Sequence, residues 1–188
     1  TYFCLSIIFN RMKKATLFLI LQIFTISLFA QINTDRVLAI GRNALYFEDY
    51  VLSIQYFNQV IKSKPWLAEP YFYRAVAKIN LDDFKGAEED CTLCLQRNPF
   101  LTQAYYARGI ARQSQEKYDE AIAFFDEAIE MNPSFAKAYS ERGRAKNLKG
   151  DKTGAFEDLK KSLELNPESE EAQKMNGQHS VSYTHLRA

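Results

Sequence analysis

The sequence predicts an all-α fold, a right-handed solenoid of stacked helical hairpins, and three observations support this. Four prolines are evenly spaced along the chain, at Pro65, Pro99, Pro133 and Pro167. Large apolar and small residues recur with the same step, and each period holds two runs with the apolar spacing of an amphipathic helix. A fixed period of roughly 34 residues is typical of helical repeat proteins, whose hairpins must stack on one another to bury their apolar faces.

Each period is predicted to contain a helix, a short polar turn and a second helix. In the clearest period these helices run from Thr102 to Gln115 and from Tyr118 to Met131. The turns are polar pairs, namely Glu48-Asp49, Asp82-Asp83, Glu116-Lys117 and Gly150-Asp151. The second helix should end before each proline, because the residue that precedes a proline is disfavoured in the α conformation.

Small residues recur where the two helices of a hairpin are expected to cross. Gly109 in the first helix and Ala121 in the second would allow close approach of the backbones. Tyr105 and Phe125 would fill the space around them. The residues predicted to maintain the repeat are Gly41, Pro65, Ala87, Pro99, Gly109, Ala121, Pro133, Gly143, Ala155 and Pro167.

The period from Thr102 to Pro133 resembles the tetratricopeptide repeat (TPR) family. The residues that carry the resemblance are Tyr105, Arg108, Gly109, Tyr118, Ala121, Phe125, Ala128 and Pro133. The next period is similar, and the two preceding periods are more degenerate. The resemblance implies four TPR repeats, at residues 34–67, 68–101, 102–135 and 136–169. It implies a protein-binding scaffold but says little about chemistry, because the family shares a fold rather than a reaction.

The N-terminal part of the sequence is interpreted as an export signal. Residues 1–11 read as translation upstream of the true start at Met12, and residues 12–30 combine a basic start, an apolar run from Ala15 to Phe29 and a small residue, Ala30. This is the pattern of a secretory signal peptide. The run is shorter than the ~20 residues that cross a bilayer, and an uncleaved membrane anchor is the alternative. The signal predicts a secreted, periplasmic or outer-membrane-associated bacterial protein.

The C-terminal end of the sequence breaks the repeat pattern. Residues 170–177 either open a fifth repeat or form a capping helix. Residues 178–188 lack helical periodicity and read either as a disordered end or as translated adaptor sequence. In the second case the natural protein would continue past residue 177.

Composition and charge argue against nucleic acid as a partner. The formal net charge is +1, and the basic residues are interspersed with acidic ones, whereas nucleic-acid binding normally needs a basic face. The sequence suggests no catalytic constellation, no metal site and no cofactor. Membrane contact is expected only through the N-terminal signal or anchor segment.

Cys91 and Cys94 form a C-x-x-C pair within a predicted helix. They occupy the positions that Phe125 and Ala128 hold one period later, so core packing is the favoured interpretation. A zinc site would need two more ligands, and both histidines lie in the tail. In an oxidising compartment a disulfide is the remaining alternative.

Arginines recur with the period at positions 74, 108 and 142. Asp90 follows Arg74 by the same interval as Asp158 follows Arg142, and this interval places each pair on the two helices of one hairpin. A semi-buried structural ion pair is therefore favoured over a ligand site.

The first helices of the hairpins are expected to line a concave groove. The residues predicted to contact a partner there are Leu38, Arg42, Tyr46, Phe72, Val76, Ile79, Tyr106, Ile110, Gln113 and Arg144. The apolar side chains at 72, 76, 106 and 110 are expected to point away from the paired helix. An amphipathic helix or an extended segment of a protein would suit such a groove, and the chain's own downstream segment is the alternative occupant. The Lys/Asn/Arg clamp by which some TPR domains bind acidic chaperone tails is not reproduced.

Together, these observations predict a non-catalytic, exported scaffold or adaptor that binds a protein or peptide through its groove. The alternative is a TPR docking module of a larger enzyme or regulator whose catalytic part is missing from this chain. A third interpretation is a membrane-anchored assembly factor that uses residues 12–32 as its anchor.

Overall fold

A computed structural model describes residue 16, residues 18–22 and residues 33–168 of the 188-residue chain. The upstream segment 1–11, most of the export signal at 12–30, and the C-terminal segments 170–177 and 178–188 lie outside the described residues. Among the described residues, no helix combines the length and the apolar character that crossing a membrane requires.

Residues 33–168 fold into consecutive α-helices, and this part of the chain contains no strand. The helices are α1 at 33–46, α2 Tyr50–Ser63, α3 Glu69–Asn80, α4 Phe84–Arg97, α5 Thr102–Ser114, α6 Tyr118–Met131, α7 Ala136–Lys149 and α8 Lys152–Leu165. The prediction of an all-α solenoid is confirmed. The bounds of α6 are those predicted, and α5 ends at Ser114 rather than at Gln115.

Successive helices pack on one another, so that each hairpin contacts the next. α3 packs on α4, α5 on α6 and α7 on α8, while the second helix of each hairpin also packs on the first helix of the following one. The first helices touch directly as well, α3 with α5 and α5 with α7. This layer of first helices is the inner, concave side of the solenoid.

The turn within each hairpin contains one residue with positive φ at the same position of the period. These residues are Glu48 at 61°, Asp82 at 58°, Glu116 at 62° and Gly150 at 98°. A left-handed residue ends a helix by letting the following N–H groups reach back to the last carbonyls. At the end of α7, for example, the Asp151 N–H donates to the Lys146 carbonyl at 2.9 Å. The predicted polar turns are therefore confirmed.

Both helices of each hairpin contribute to the core, and the buried positions on the second helices recur with the same period as the prolines. Fully buried small residues at one such position are Ala87, Ala121 and Ala155, and fully buried larger residues four positions later are Phe57, Cys91, Phe125 and Leu159. The predicted repeat therefore builds a continuous interior through all the hairpins described.

The two glycines predicted at close backbone crossings have different neighbours. At Gly143, an added Cβ would lie 3.1 Å from the backbone oxygen of Ala155, which is the predicted close approach of two helices. At Gly109, an added Cβ would lie 2.5 Å from Cε1 of Phe125. The nearest atoms to Gly109 are therefore those of the Phe125 ring, which was predicted to fill the space around this glycine.

Candidate partner-binding groove

An apolar cavity of about 400 Å³ opens on the inner layer of helices. Phe72, Val76 and Ile79 reach it from one face of α3, because their spacing follows the helical turn. Tyr106 and Ile110 reach it from α5. The remaining lining residues are Gln103, Ala107, Phe135 and Lys137. The structure thus brings together five of the ten residues predicted to contact a partner, and their role in binding remains a prediction.

Phe135 and Lys137 line this cavity but were not predicted. The ring centroid of Tyr106 lies 5.1 Å from that of Phe135 and 5.9 Å from that of Phe125. A signal for Phe135 exists in the sequence, since an apolar residue stands two places after each of the first three repeat prolines. Lys137, which is exposed, contributes a cationic side chain at the C-terminal end of the cavity.

The apolar side chains of the groove also serve the interior. Phe72 and Ile79 pack against the buried cluster that contains Ala75 and Cys91. Tyr106 and Ile110 pack in the same way against the buried cluster around Phe125. These side chains are half-buried. The expectation that the strip points away from the paired helix is therefore corrected for Phe72, Tyr106 and Ile110, because these side chains pack on the core as well as lining the groove.

The groove becomes polar beyond Tyr106, where a second cavity of about 170 Å³ adjoins it. The residues that line this cavity are Tyr106, Ala136, Lys137, Ser140, Glu141, Ser162 and Asn166. The Ser140 hydroxyl is buried there without a hydrogen-bond partner. Arg144, one of the predicted contacts, is exposed and lies 3.6 Å from the Glu141 carboxylate.

Gln113 is not presented to a partner. Its side chain is buried, and its Nε2 donates to Oε2 of Glu141 at 2.8 Å. Because a buried amide already engaged with a carboxylate cannot reach a ligand without breaking that bond, we remove Gln113 from the set of predicted contacts.

The three predicted contacts on α1 do not line the groove cavity described above. Arg42 is exposed, lies 3.6 Å from the Glu69 carboxylate, and its guanidinium stands 5.4 Å from the ring centroid of Tyr73. Tyr46 is 82% exposed and meets the ring of Phe47 edge-on at 5.2 Å. Leu38 is half-buried. The cavity is therefore a feature of the second to fourth hairpins.

The recurrent arginines form structural ion pairs, as their spacing predicts. Arg74 Nε donates to Asp90 Oδ2 at 2.8 Å, and Arg142 Nε donates to Asp158 Oδ2 at 2.9 Å. Both carboxylates are buried. Burial alone would lower the pKa of the Arg142 guanidinium, but its hydrogen bonds to Asp158 and Asp126 outweigh that effect and raise the pKa.

Arg108 does not form an equivalent ion pair, because Phe124 stands in the third repeat where Asp90 and Asp158 stand in the second and fourth. The guanidinium of Arg108 lies 4.3 Å from the centroid of that ring and 3.8 Å from Glu88. A cation over an aromatic face is a weaker substitute for a buried carboxylate. In the third repeat the recurrent arginine therefore contacts an aromatic ring instead of a buried carboxylate.

Cys91 and Cys94 are free, fully buried thiols in the core. Burial raises the pKa of the Cys91 thiol, and it raises that of Cys94 to about 11. A thiol that stays protonated at neutral pH is a poor nucleophile and a poor metal ligand. Core packing is therefore the observed role of the pair, and within residues 33–168 no cluster of three or more His, Cys, Asp or Glu could hold a metal ion.

The stacked hairpins, the inner layer and the structural ion pairs define a helical-repeat scaffold. Residues 102–135 and residues 136–169 each match a family model described as a tetratricopeptide repeat. The chain therefore contains tetratricopeptide repeats at residues 102–135 and 136–169. No curated protein matches the chain.

Solved structures with the same fold extend this comparison. MamA is 24% identical with a TM-score of 0.66, over 72% of this chain and 79% of that chain. The Arabidopsis OM64 TPR domain is 27% identical with a TM-score of 0.60, over 61% of this chain and 95% of that chain. The first TPR of Spaghetti (RPAP3), bound to the HSP90 peptide SRMEEVD, is 23% identical with a TM-score of 0.60, over 62% of this chain and 93% of that chain.

Proposed function

We propose that the protein is a non-catalytic, exported scaffold that binds a segment of another protein in its concave groove. The observation that carries this proposal is the apolar cavity of about 400 Å³ between α3 and α5. A peptide occupies the TPR domain of Spaghetti in the structure compared above. That complex supports a protein segment as the class of ligand for this chain.

The lining of the groove suggests what the segment presents. Side chains such as Phe72, Val76 and Ile110 offer an apolar surface to one or two apolar side chains of the partner. Beyond Tyr106, the exposed Lys137 offers a polar contact. An amphipathic helix or an extended segment that is apolar at one end and polar at the other fits this order.

The expected affinity is modest. Five apolar side chains of the groove are already largely buried, so each retains at most about a third of the roughly 1.5–3 kcal/mol that full burial would supply. Their sum is at most ~5 kcal/mol, which is comparable with the lower end of the ~4–15 kcal/mol that association costs. We therefore expect this groove by itself to bind with a micromolar or weaker Kd.

A matched pair of substitutions tests the groove. Val76 lines the cavity and is not among the side chains packed on the buried clusters, so Val76→Glu should retain the fold. Val51→Glu makes the same change at a 59% exposed position on α2. A photo-crosslinking residue introduced at Ile79 would first identify the bound protein, and purified partner would then be titrated against both variants.

Val76→Glu should weaken binding at least tenfold, because a carboxylate would have to be desolvated inside an apolar contact. Val51→Glu should bind like the unchanged protein. Circular dichroism would confirm equal helicity. If both variants bind the crosslinked partner with unchanged affinity, the partner does not occupy this groove.

A further inference from the structure

Two exposed aromatic residues stand on the loops between repeats. Trp66 is 66% exposed and Phe100 is 83% exposed, and each directly follows a repeat proline. Ser134 and Glu168 hold the equivalent positions in the next two periods. Because the same loop accepts serine and glutamate, the fold does not require aromatic side chains there.

The loops that carry the two rings are joined to each other. Arg97 Nε donates to the Pro65 carbonyl at 2.5 Å, and its guanidinium lies 4.2 Å from the centroid of the Tyr71 ring. The Tyr71 hydroxyl donates to the same carbonyl at 3.1 Å. Trp66 and Phe100 therefore belong to one edge of the solenoid, which we call the loop edge.

A charged position on the loop edge also changes from the first repeat to the last. The position four residues before Trp66 is Lys62, and its equivalents in the following periods are Gln96, Glu130 and Glu164. Lys62, Glu130 and Glu164 are all exposed. At this position the charge therefore changes from positive in the first repeat to negative in the third and fourth, where Glu164 lies 3.3 Å from Lys161.

The start of α1 lies at the cationic part of this edge. A cavity of about 180 Å³ is lined by Asn33, Thr34 and Val37 from the first turns of α1 and by residues from the last turns of α2. The apolar run of residues 15–29 precedes α1 in the sequence. The chain therefore enters the solenoid at the same edge that carries Lys62 and Trp66.

We propose that the first part of the loop edge lies against an anionic lipid surface. Tryptophan is enriched at the boundary between lipid headgroups and acyl chains, where its ring is buried and its N–H stays solvated. Lysines close to an anionic membrane are attracted to it, whereas glutamates are repelled. The gradient from Lys62 and Trp66 to Glu164 and Glu168 then tilts the solenoid, with its C-terminal repeats held away from the lipid.

The test uses the fact that Trp66 is the single tryptophan of the chain. The full chain is mixed with vesicles of phosphatidylcholine and phosphatidylglycerol, and tryptophan emission is recorded. Contact with the lipid should shift the emission to shorter wavelength, protect it from iodide and make it sensitive to quenching by lipids with brominated acyl chains. These signals report on Trp66 itself, even where another segment also binds the vesicle.

Matched variants separate the loop edge from the opposite edge. Phe100→Ser and Lys62→Glu should reduce quenching by brominated lipid and return the emission towards its value in water. Phe47→Ser and Lys117→Glu change exposed residues at the turns within hairpins, on the opposite edge, and should leave both signals unchanged. Vesicles of phosphatidylcholine alone should give a smaller blue shift than those with phosphatidylglycerol.

The proposal is overturned if Trp66 stays as accessible to iodide in the presence of vesicles as in their absence. It is equally overturned if variants of the two edges reduce the quenching alike. Protection of Trp66 by a protein partner without protection by vesicles would assign the loop edge to that protein instead of to lipid.

Discussion

At the residue scale, the size of the side chains on the two helices of a hairpin is matched repeat by repeat. Gly41 and Gly109 each face a fully buried phenylalanine, and an added Cβ would lie 2.8 Å and 2.5 Å from those rings. In the second repeat the equivalent position is Ala75, which shares a buried cluster with the smaller Cys91. The added methyl of alanine is therefore accommodated where the opposing side chain is smaller, as close packing requires.

This size match predicts the effect of Gly109→Ala. The new Cβ would be too close to the Phe125 ring, so we expect a loss of about 1–3 kcal/mol in the free energy of unfolding from overpacking. In a Phe125→Cys background, which reproduces the pair of the second repeat, the same change should cost nothing or stabilise by up to about 1 kcal/mol through helix propensity. Urea denaturation of the four proteins of the cycle measures this coupling. An equal cost in both backgrounds would mean that the ring is not what excludes alanine.

At the element scale, the second helices begin with the same cap in three of the four hairpins. The carboxylates of Asp49, Asp83 and Asp151 accept hydrogen bonds from backbone N–H groups three residues later, at 3.1, 3.0 and 2.9 Å. In the third hairpin Lys117 stands at this position, and its side chain makes no cap bond. α6 therefore begins without a side-chain cap and with a cation before its first turn, which also carries Asp119 and Glu120.

Lys117→Asp should stabilise the protein. Aspartate is the N-cap residue of α2, α4 and α8. At position 117 it would supply a cap worth about 1 kcal/mol, together with a favourable charge at the start of α6. Lys85→Asp is the control, since it makes the same charge change in the first turn of α4, where Asp83 already provides the cap. Thermal unfolding should show a higher Tm for Lys117→Asp than for the control. If the two variants had the same Tm, any increase in stability would come from the change of charge and not from the cap.

At the scale of the whole molecule, the solenoid presents two surfaces of different character. The inner layer carries the groove, and the loop edge carries exposed aromatic and basic residues. Each hairpin contacts the next, so the interior is continuous while the surfaces vary from repeat to repeat. Under the two proposals above, the groove would hold a protein segment while the loop edge lies against lipid.

Export is the prediction that belongs to the whole molecule. Expressed with its own N-terminus in a diderm bacterium, the protein should be processed to begin at or near Gln31, because the preceding residues match a cleavable signal. Mass spectrometry of the periplasmic fraction measures the mature N-terminus. Recovery of a chain that still begins at Met12 in the membrane fraction would contradict cleavage and favour the anchor.

Periodicity made much of the scaffold predictable from sequence. The even spacing of the repeat placed the helices, the polar turns and the buried small positions, because each of these depends on contacts within one hairpin or with its immediate neighbour. The pairs Arg74–Asp90 and Arg142–Asp158 were predictable for the same reason, since the interval within each pair spans a single turn between two helices. Core packing of Cys91 was likewise predicted from its equivalence to Phe125.

The groove was only half predictable, and its missing parts needed the tertiary structure. Phe135 and Lys137 reach the cavity from the start of α7, and Gln113 is buried with its amide hydrogen-bonded to Glu141 on α7. The arrangement of such residues depends on how far neighbouring hairpins rotate and on which polar partner satisfies a buried amide, and neither is encoded in the period. Sequence alone thus determined the repeating fold, because local spacing controls it, whereas the shape of the binding surface was decided by contacts between repeats.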